Sequence, residues 1–205
     1  MTPSDHIALP QQLRKTVHPH RFMMWLSMAS IVMLFAGFTS AYIVKHADTN
    51  VWESVELPSL FWVSTTLILA SSISIFFAVR AFHRNNVKAY RNLLALTFVL
   101  GFGFLLSQWM AWQEMLVISQ LGIGDKVAAD FLYVISGAHF LHAAGGVVAM
   151  GFLFFLALRH YRTPEDALML NLHPEKVPGI ELVATYWHFV DALWLYLFIF
   201  FIANT

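Results

Sequence analysis

Residues 182–203 read LVATYWHFVDALWLYLFIFFIA, and this stretch decides the fold. At 1.5 Å per residue a helix of that length crosses about 30 Å of hydrocarbon. Its one charged side chain is Asp191, with His188 three residues before it. Ionisable groups at bilayer depth are costly, so they mark either a site or a structural pair.

Working outward, four more apolar runs of comparable length precede it: Phe22–Val44, Leu57–Val79, Leu93–Gln113 and Phe131–Leu158, none of which holds a charged side chain. The whole chain is 59% hydrophobic and 12% charged, against about 25% charged in an ordinary soluble domain. The expectation is an all-α polytopic membrane protein, a five-helix bundle over residues 21–205 with helices at 22–44, 57–79, 93–113, 131–158 and 182–203. The short alternating segments of a membrane barrel do not occur. Residues 1–20, with Pro3, Pro10 and Pro19, are expected to form an N-terminal arm, and the first apolar run is too long for the core of a signal peptide. The prolines of Arg159–Glu181 (Pro164, Pro174 and Pro178) predict an irregular loop there.

Basic residues near short loops stay on the cytoplasmic side. Arg14, Lys15, Arg21, Arg80, Arg84, Lys88, Arg91, Arg159, Arg162 and Lys176 fall on one side of such a bundle, and Lys45 and Lys126 on the other. The N-terminus is therefore predicted to face the cytoplasm and the C-terminus the periplasm. The chain has no cysteine, which excludes disulfides, thiolate ligands and a cysteine nucleophile. A net charge of zero gives no electrostatic reason to expect nucleic acid as a partner.

Helical spacing shows which polar groups can meet. His139 and His142, in SGAHFLHAAGG, are three apart, as are His188 and Asp191, so each pair shares a helix face. Counted from the span ends, His142 lies ~16 Å deep and Asp191 ~14 Å deep. Asp191 is expected to point inward and either pair with a histidine or hold a proton.

Three readings follow. The imidazoles could ligate a metal or haem in an autonomous membrane enzyme, but HxxH here lacks the intervening Glu of a zinc hydrolase and the carboxylate repeat of a di-iron bundle. A proton path would need a chain of carboxylates that the spans do not offer. Hydrogen bonding between packed helices, contributing ~0.6–2 kcal/mol per group, leads on residue chemistry alone. Gly137, Ala138, His142, Gly145, Gly146 and Ala149 form a small-residue band suited to close helix approach. Trp187 and Trp194 share one side of the last helix, while Trp109, Trp112 and Gln113 suit either an interfacial aromatic belt or a lipid-gripping slot.

TYWHFVDALWLYLFIF, with Trp187, His188, Asp191 and Trp194, resembles the closing helix of subunit III of cytochrome c oxidase and related quinol oxidases. SGAHFLHAAGG is similar to the same family's TGxHxLHxxxG helix, matching Gly137, His139 and His142, and LLSQWMAWQE resembles its Gln-x-x-Glu-Trp helix through Gln108 and Trp112. The resemblance spans roughly residues 20–203. It implies a subunit of an oxidoreductase complex, a haem-copper oxygen reductase of the bacterial inner membrane, that carries no haem or copper itself and leaves both to partner subunits. It further implies packing against subunit I, with subunit II in the same complex, a phospholipid-binding cleft, support of proton uptake and an oxygen route. Membership of a larger respiratory supercomplex stays open, as does the electron donor, cytochrome c or quinol, because electron entry lies on other subunits. His139, His142, His188, Asp191, Trp112, Gln108, Glu114, Trp187 and Trp194 then become structural or lipid-facing polar groups.

Three departures stand out. The chain matches only the last five helices of the family's seven-helix form. The family's membrane glutamate aligns with Ile31, and the Glu of Gln-x-x-Glu-Trp is Ala111, with Glu114 one turn later as the nearest substitute.

Overall fold

The structure, a computed structural model, describes residues 19–47, 55–118, 124, 126–160 and 178–204. These residues form five long helices: α1 Pro19–His46, α2 Leu60–His83, α3 Val87–Gln113, α4 Val127–His160 and α5 Pro178–Asn204. A single π turn, Glu114–Ile118, continues α3. All five are long and apolar enough to cross a membrane, and the chain is an all-helical, multi-pass membrane protein.

The helices outrun most of the apolar stretches because hydropathy reports the depth of hydrocarbon, whereas charged residues extend a helix into the headgroup layer without breaking it. Arg159 and His160 end α4, and Pro178 and Gly179 open α5. Proline is tolerated there because the first-turn N–H has no intrahelical acceptor in any case. Pro19 opens α1 in the same way. Pro164 and Pro174, with residues 1–18 of the expected N-terminal arm, lie outside the described residues. At the start of α2 the boundary moves inward from Leu57, since the Pro58 carbonyl already accepts the Phe61 N–H at 3.1 Å as a pre-helical turn.

The largest difference is between α2 and α3, where the apolar runs leave residues 80–92 as connection and the structure uses Arg84–Asn86. Two asparagines make so tight a turn workable. Asn85 adopts a left-handed conformation (φ 55°), its N–H bonding the Phe82 carbonyl and the Asn86 N–H bonding the Ala81 carbonyl, each at 3.0 Å. This is a Schellman closure, with asparagine in the place usually taken by glycine. The Asn86 side chain then accepts the Ala89 N–H at 3.1 Å and caps α3.

Polar contacts at both ends fix how the helices run. Arg21 donates to Glu181 at 2.9 Å, and His83 Nε2 lies 3.5 Å from the same carboxylate, gathering the start of α1, the end of α2 and the start of α5. At the opposite end the Tyr42 hydroxyl donates to the Asn204 carbonyl at 3.1 Å, so α1 and α5 are parallel. Helix α5 sits centrally, packed on α2, α4 and α1, while α1 rests chiefly on α4 and α5. It does so through one seam of Met28, Ile31, Phe35, Thr39 and Tyr42, spaced three and four apart as a helix stripe requires.

Asn86→Ala should remove the α3 cap and lower the thermal stability of the detergent-solubilised chain by about 1 kcal/mol. Asn85→Gly should be tolerated, because glycine enters the left-handed region freely. If Asn86→Ala left the melting curve unmoved, the cap would have no energetic role.

Candidate functional site

Helix α5 contributes two fully buried indoles, and each ends on a hydroxyl of α2. Trp187 Nε1–H donates to Ser71 Oγ at 3.0 Å, and Trp194 Nε1–H to Thr65 Oγ1 at 3.0 Å. Each hydroxyl passes its own proton to a carbonyl within α2: Ser71 to Ile68 at 2.7 Å and Thr65 to Phe61 at 2.7 Å. His188 joins the same seam, with Nδ1 2.7 Å from Ser72 Oγ. Two polar groups on α5, seven residues apart, thus meet two hydroxyls six apart on an antiparallel helix.

The device recurs on α3. Gln108 Nε2–H donates to Ser64 Oγ at 3.0 Å, and Trp112 Nε1–H to Ser136 Oγ at 3.0 Å, with Ser136 donating in turn to the Leu132 carbonyl at 2.6 Å. The hydroxyls Ser64, Thr65, Ser71, Ser72 and Ser136 were not among the residues singled out from sequence. A signal was present in the pairs Ser64/Thr65 and Ser71/Ser72, seven apart along α2 as Trp187 and Trp194 are along α5.

The histidines and Asp191 divide. His139 is 0% exposed, and its ring is enclosed by Trp194, Phe104 and Phe35 with centroids 5.1, 5.8 and 6.3 Å away. Neither ring nitrogen has a hydrogen-bond partner among the described residues. His142 turns back on its own helix, Nδ1–H donating to the Ala138 carbonyl at 2.7 Å. Its backbone carbonyl accepts the Tyr186 hydroxyl at 3.0 Å, which ties α5 to α4. Asp191 points inward as expected, 3% exposed; of the two alternatives, a histidine partner or a held proton, the histidine pairing is not formed among the described residues. Both carboxyl oxygens lack a partner that meets hydrogen-bond geometry. His139 is sealed among rings, His188 is turned to Ser72, and the Ser72 hydroxyl, though near Asp191, is held by His188.

Among the described residues these side chains do not converge on one point. His139, His142 and His188 face three different environments, and no group of three or more His, Cys, Asp or Glu side chains among the described residues is placed to hold an ion. What the site can do chemically is join helices: its donors are spent on hydroxyls and carbonyls of neighbouring turns.

The positions that depart from the resembled pattern are apolar and packed. Ile31 is 9% exposed and Ala111 0%, both within the cluster that includes Phe35, Phe104 and Trp194. Glu114 lies in the first position of the π turn, its carboxylate 3.5 Å from the Ser59 hydroxyl at the end of the bundle opposite the Arg21–Glu181 pair. Of the small-residue band, Gly146 is the residue in close contact. A Cβ there would fall 2.8 Å from Trp187 ring carbons, whereas one at Gly145 meets nothing within 4 Å. Gly101 on α3 flanks the same indole, 3.1 Å from where its Cβ would be. Trp187 therefore lies in a slot between α3 and α4 that exists because two residues lack side chains.

Comparison with known proteins agrees with the sequence resemblance. The family model described as cytochrome c oxidase subunit III matches residues 15–204. A probable cytochrome c oxidase subunit 3 of Mycobacterium leprae (strain TN) is 33% identical over 179 residues, covering 86% of this chain and 82% of the relative. Cytochrome c oxidase subunit 3 of Alkalihalophilus pseudofirmus is 25% identical over 177 residues, covering 85% and 81%. The Gallus gallus protein named cytochrome c oxidase subunit 3 is 31% identical over 144 residues, covering 70% of this chain and 49% of its own length.

Gly146→Ala should displace a pinned indole and cost about 1–3 kcal/mol, as overpacking of a filled core does. Gly145→Ala should be neutral or stabilising by up to about 1 kcal/mol, since alanine is the better helix former. Melting of the two variants, followed by tryptophan fluorescence, separates the cases; equal shifts would mean that the slot does not hold Trp187.

Proposed function

The chain belongs to the cytochrome c oxidase subunit III family, and we propose that it braces the catalytic subunit I of a bacterial terminal oxidase without carrying a redox centre. It is a structural subunit of a cytochrome oxidase complex. In this reading haem and copper reside in partner subunits, subunit II belongs to the same assembly, and the N-terminus faces the cytoplasm of an inner membrane. The chain also holds phospholipid beside its polar layer and supports proton uptake and oxygen access.

The observation that carries this reading is that four polar side chains of α5, Tyr186, Trp187, His188 and Trp194, are spent on neighbouring helices inside the bundle. Trp187, His188 and Trp194 meet hydroxyls of α2, and Tyr186 meets α4. In hydrocarbon such bonds fix helix register. The wide apolar flank of α1, with Trp25, Met33 and Val44 exposed, gives the bundle a surface for lipid or for a neighbouring subunit.

Intact-mass measurement of the purified oxidase should find this chain in stoichiometric amount with the haem- and copper-bearing subunits and with retained phospholipid. Its reproducible absence from an intact, active oxidase would overturn the assignment. So would stoichiometric haem or metal in the isolated chain that is lost in His142→Ala.

Asp191 gives a sharper test. Because no donor among the described residues meets hydrogen-bond geometry at its oxygens, Asp191→Leu should leave the folding of the chain within about 1 kcal/mol of wild type, since removing a polar group without a partner strands none. Asp191→Asn should behave alike. A loss of several kcal/mol in the leucine variant alone would show that Asp191 has a buried donor after all.

A further inference from the structure

A groove of about 320 Å³ opens beside the α2–α3 turn. Phe77, Ala89 and Leu93 form its apolar wall, and Arg80, Arg84 and Asn86 its polar rim. Phe77 lies six residues before the last residue of α2, His83, which places it ~9 Å deeper along the helix than the point where the Arg84 cap begins. The groove therefore straddles the boundary between hydrocarbon and headgroups, apolar below and cationic above.

Arg80, in the last turn of α2, and Arg84, its C-cap residue, both line the groove. Both are exposed, and among the described residues no carboxylate pairs with either. Among the described residues, the acidic group at this end of the bundle, Glu181, is engaged by Arg21 and His83. Two uncompensated guanidiniums above an apolar slot match a phosphodiester whose acyl chains enter the slot: guanidinium binds phosphate oxygens through paired N–H donors, and basic pockets between membrane helices take anionic headgroups.

We propose that Arg80 and Arg84, with the wall formed by Phe77 and Leu93, bind one anionic diacyl phospholipid at the α2–α3 turn. The headgroup carries a net negative charge; a zwitterionic lipid, whose own ammonium competes with the guanidiniums, binds more weakly. The inference rests on the hairpin and its charges, and not on the part the chain plays in an oxidase.

The test uses phosphatidylglycerol and phosphatidylcholine analogues with identical acyl chains and a photoreactive headgroup, added to the purified complex containing the full chain. After irradiation, the phosphatidylglycerol label should fall on the peptide spanning residues 77–93, about tenfold above the phosphatidylcholine label, a difference of about 1.4 kcal/mol. Arg80→Gln with Arg84→Gln should remove most of it, and Arg80→Lys with Arg84→Lys should retain most of it. Equal labelling by the two analogues, label elsewhere in the chain, or undiminished label in the glutamine variant would overturn the proposal. So would loss of the label to excess inorganic phosphate, which would make the arginines a free-anion site. If the glutamine variant fails to assemble, the comparison of the two analogues on the wild-type complex decides alone.

Discussion

An indole N–H inside a membrane has no water to bond, and leaving it unpaired costs several kcal/mol. Helix α5 carries two such groups near the middle of the bundle, Trp187 and Trp194, and the arrangement of the other helices follows from where they can be satisfied. Hydroxyls can accept them without introducing a charge. A hydroxyl on a helix can also direct its own proton to a carbonyl one turn back, so it arrives as an acceptor with its donor already placed. Ser71 and Thr65 do this, which makes α2 the obligatory partner of α5.

Once α2 and α5 are joined, the volume of the indoles sets the remaining spacings. Trp187 can lie against α3 and α4 because Gly101 and Gly146 present bare backbone to it. Trp194 packs edge-on to Phe61 and Phe104, 5.5 and 5.3 Å away, and closes over His139. Edge-to-face packing of this kind adds to the area the rings bury. Helix α1 enters last in this hierarchy. It touches the bundle along a single stripe, with Phe35 beside both His139 and His142 and the Tyr196 hydroxyl reaching Thr39 at 3.2 Å.

Much of this was legible in the amino-acid sequence, and the remainder was hidden for definite reasons. The five spans could be read because each holds an uninterrupted apolar run, and the polar residues of α4 and α5 stood out because hydrocarbon excludes them. Helix ends could not be read from the same signal: Arg80, Lys88 and Arg91 lie outside hydrocarbon yet inside helices. The two asparagines that close α2 and open α3 were a readable turn signal, masked by the basic residues around them. The α2 hydroxyls were visible but ambiguous, since serine and threonine in a membrane helix usually do no more than bond their own backbone, as Ser30 does with the Leu26 carbonyl. Gly145 and Gly146 are indistinguishable in a small-residue band. A rotation of about 100° per residue separates open space from the Trp187 slot.

The same depth that singled out Asp191 and His139 also separates them from the fasteners around them. Spacing along a helix shows which residues share a face, but not which neighbour that face meets. Asp191 shares a face with His188, and His188 is spent on Ser72; His139 shares one with His142, and His142 is spent on Ala138. Each pair thus contains one group that bonds and one that does not, and the two that do not, Asp191 and His139, are buried. Hydrogen bonding to a neighbouring helix explains His188 and the tryptophans, but not a carboxyl and an imidazole for which no partner meets hydrogen-bond geometry among the described residues. The two positions at which the resembled family carries membrane carboxylates are filled here by Ile31 and Ala111, both packed in the core. Asp191 is the one acidic side chain inside the five apolar runs, and no hydrogen bond among the described residues accounts for its burial there.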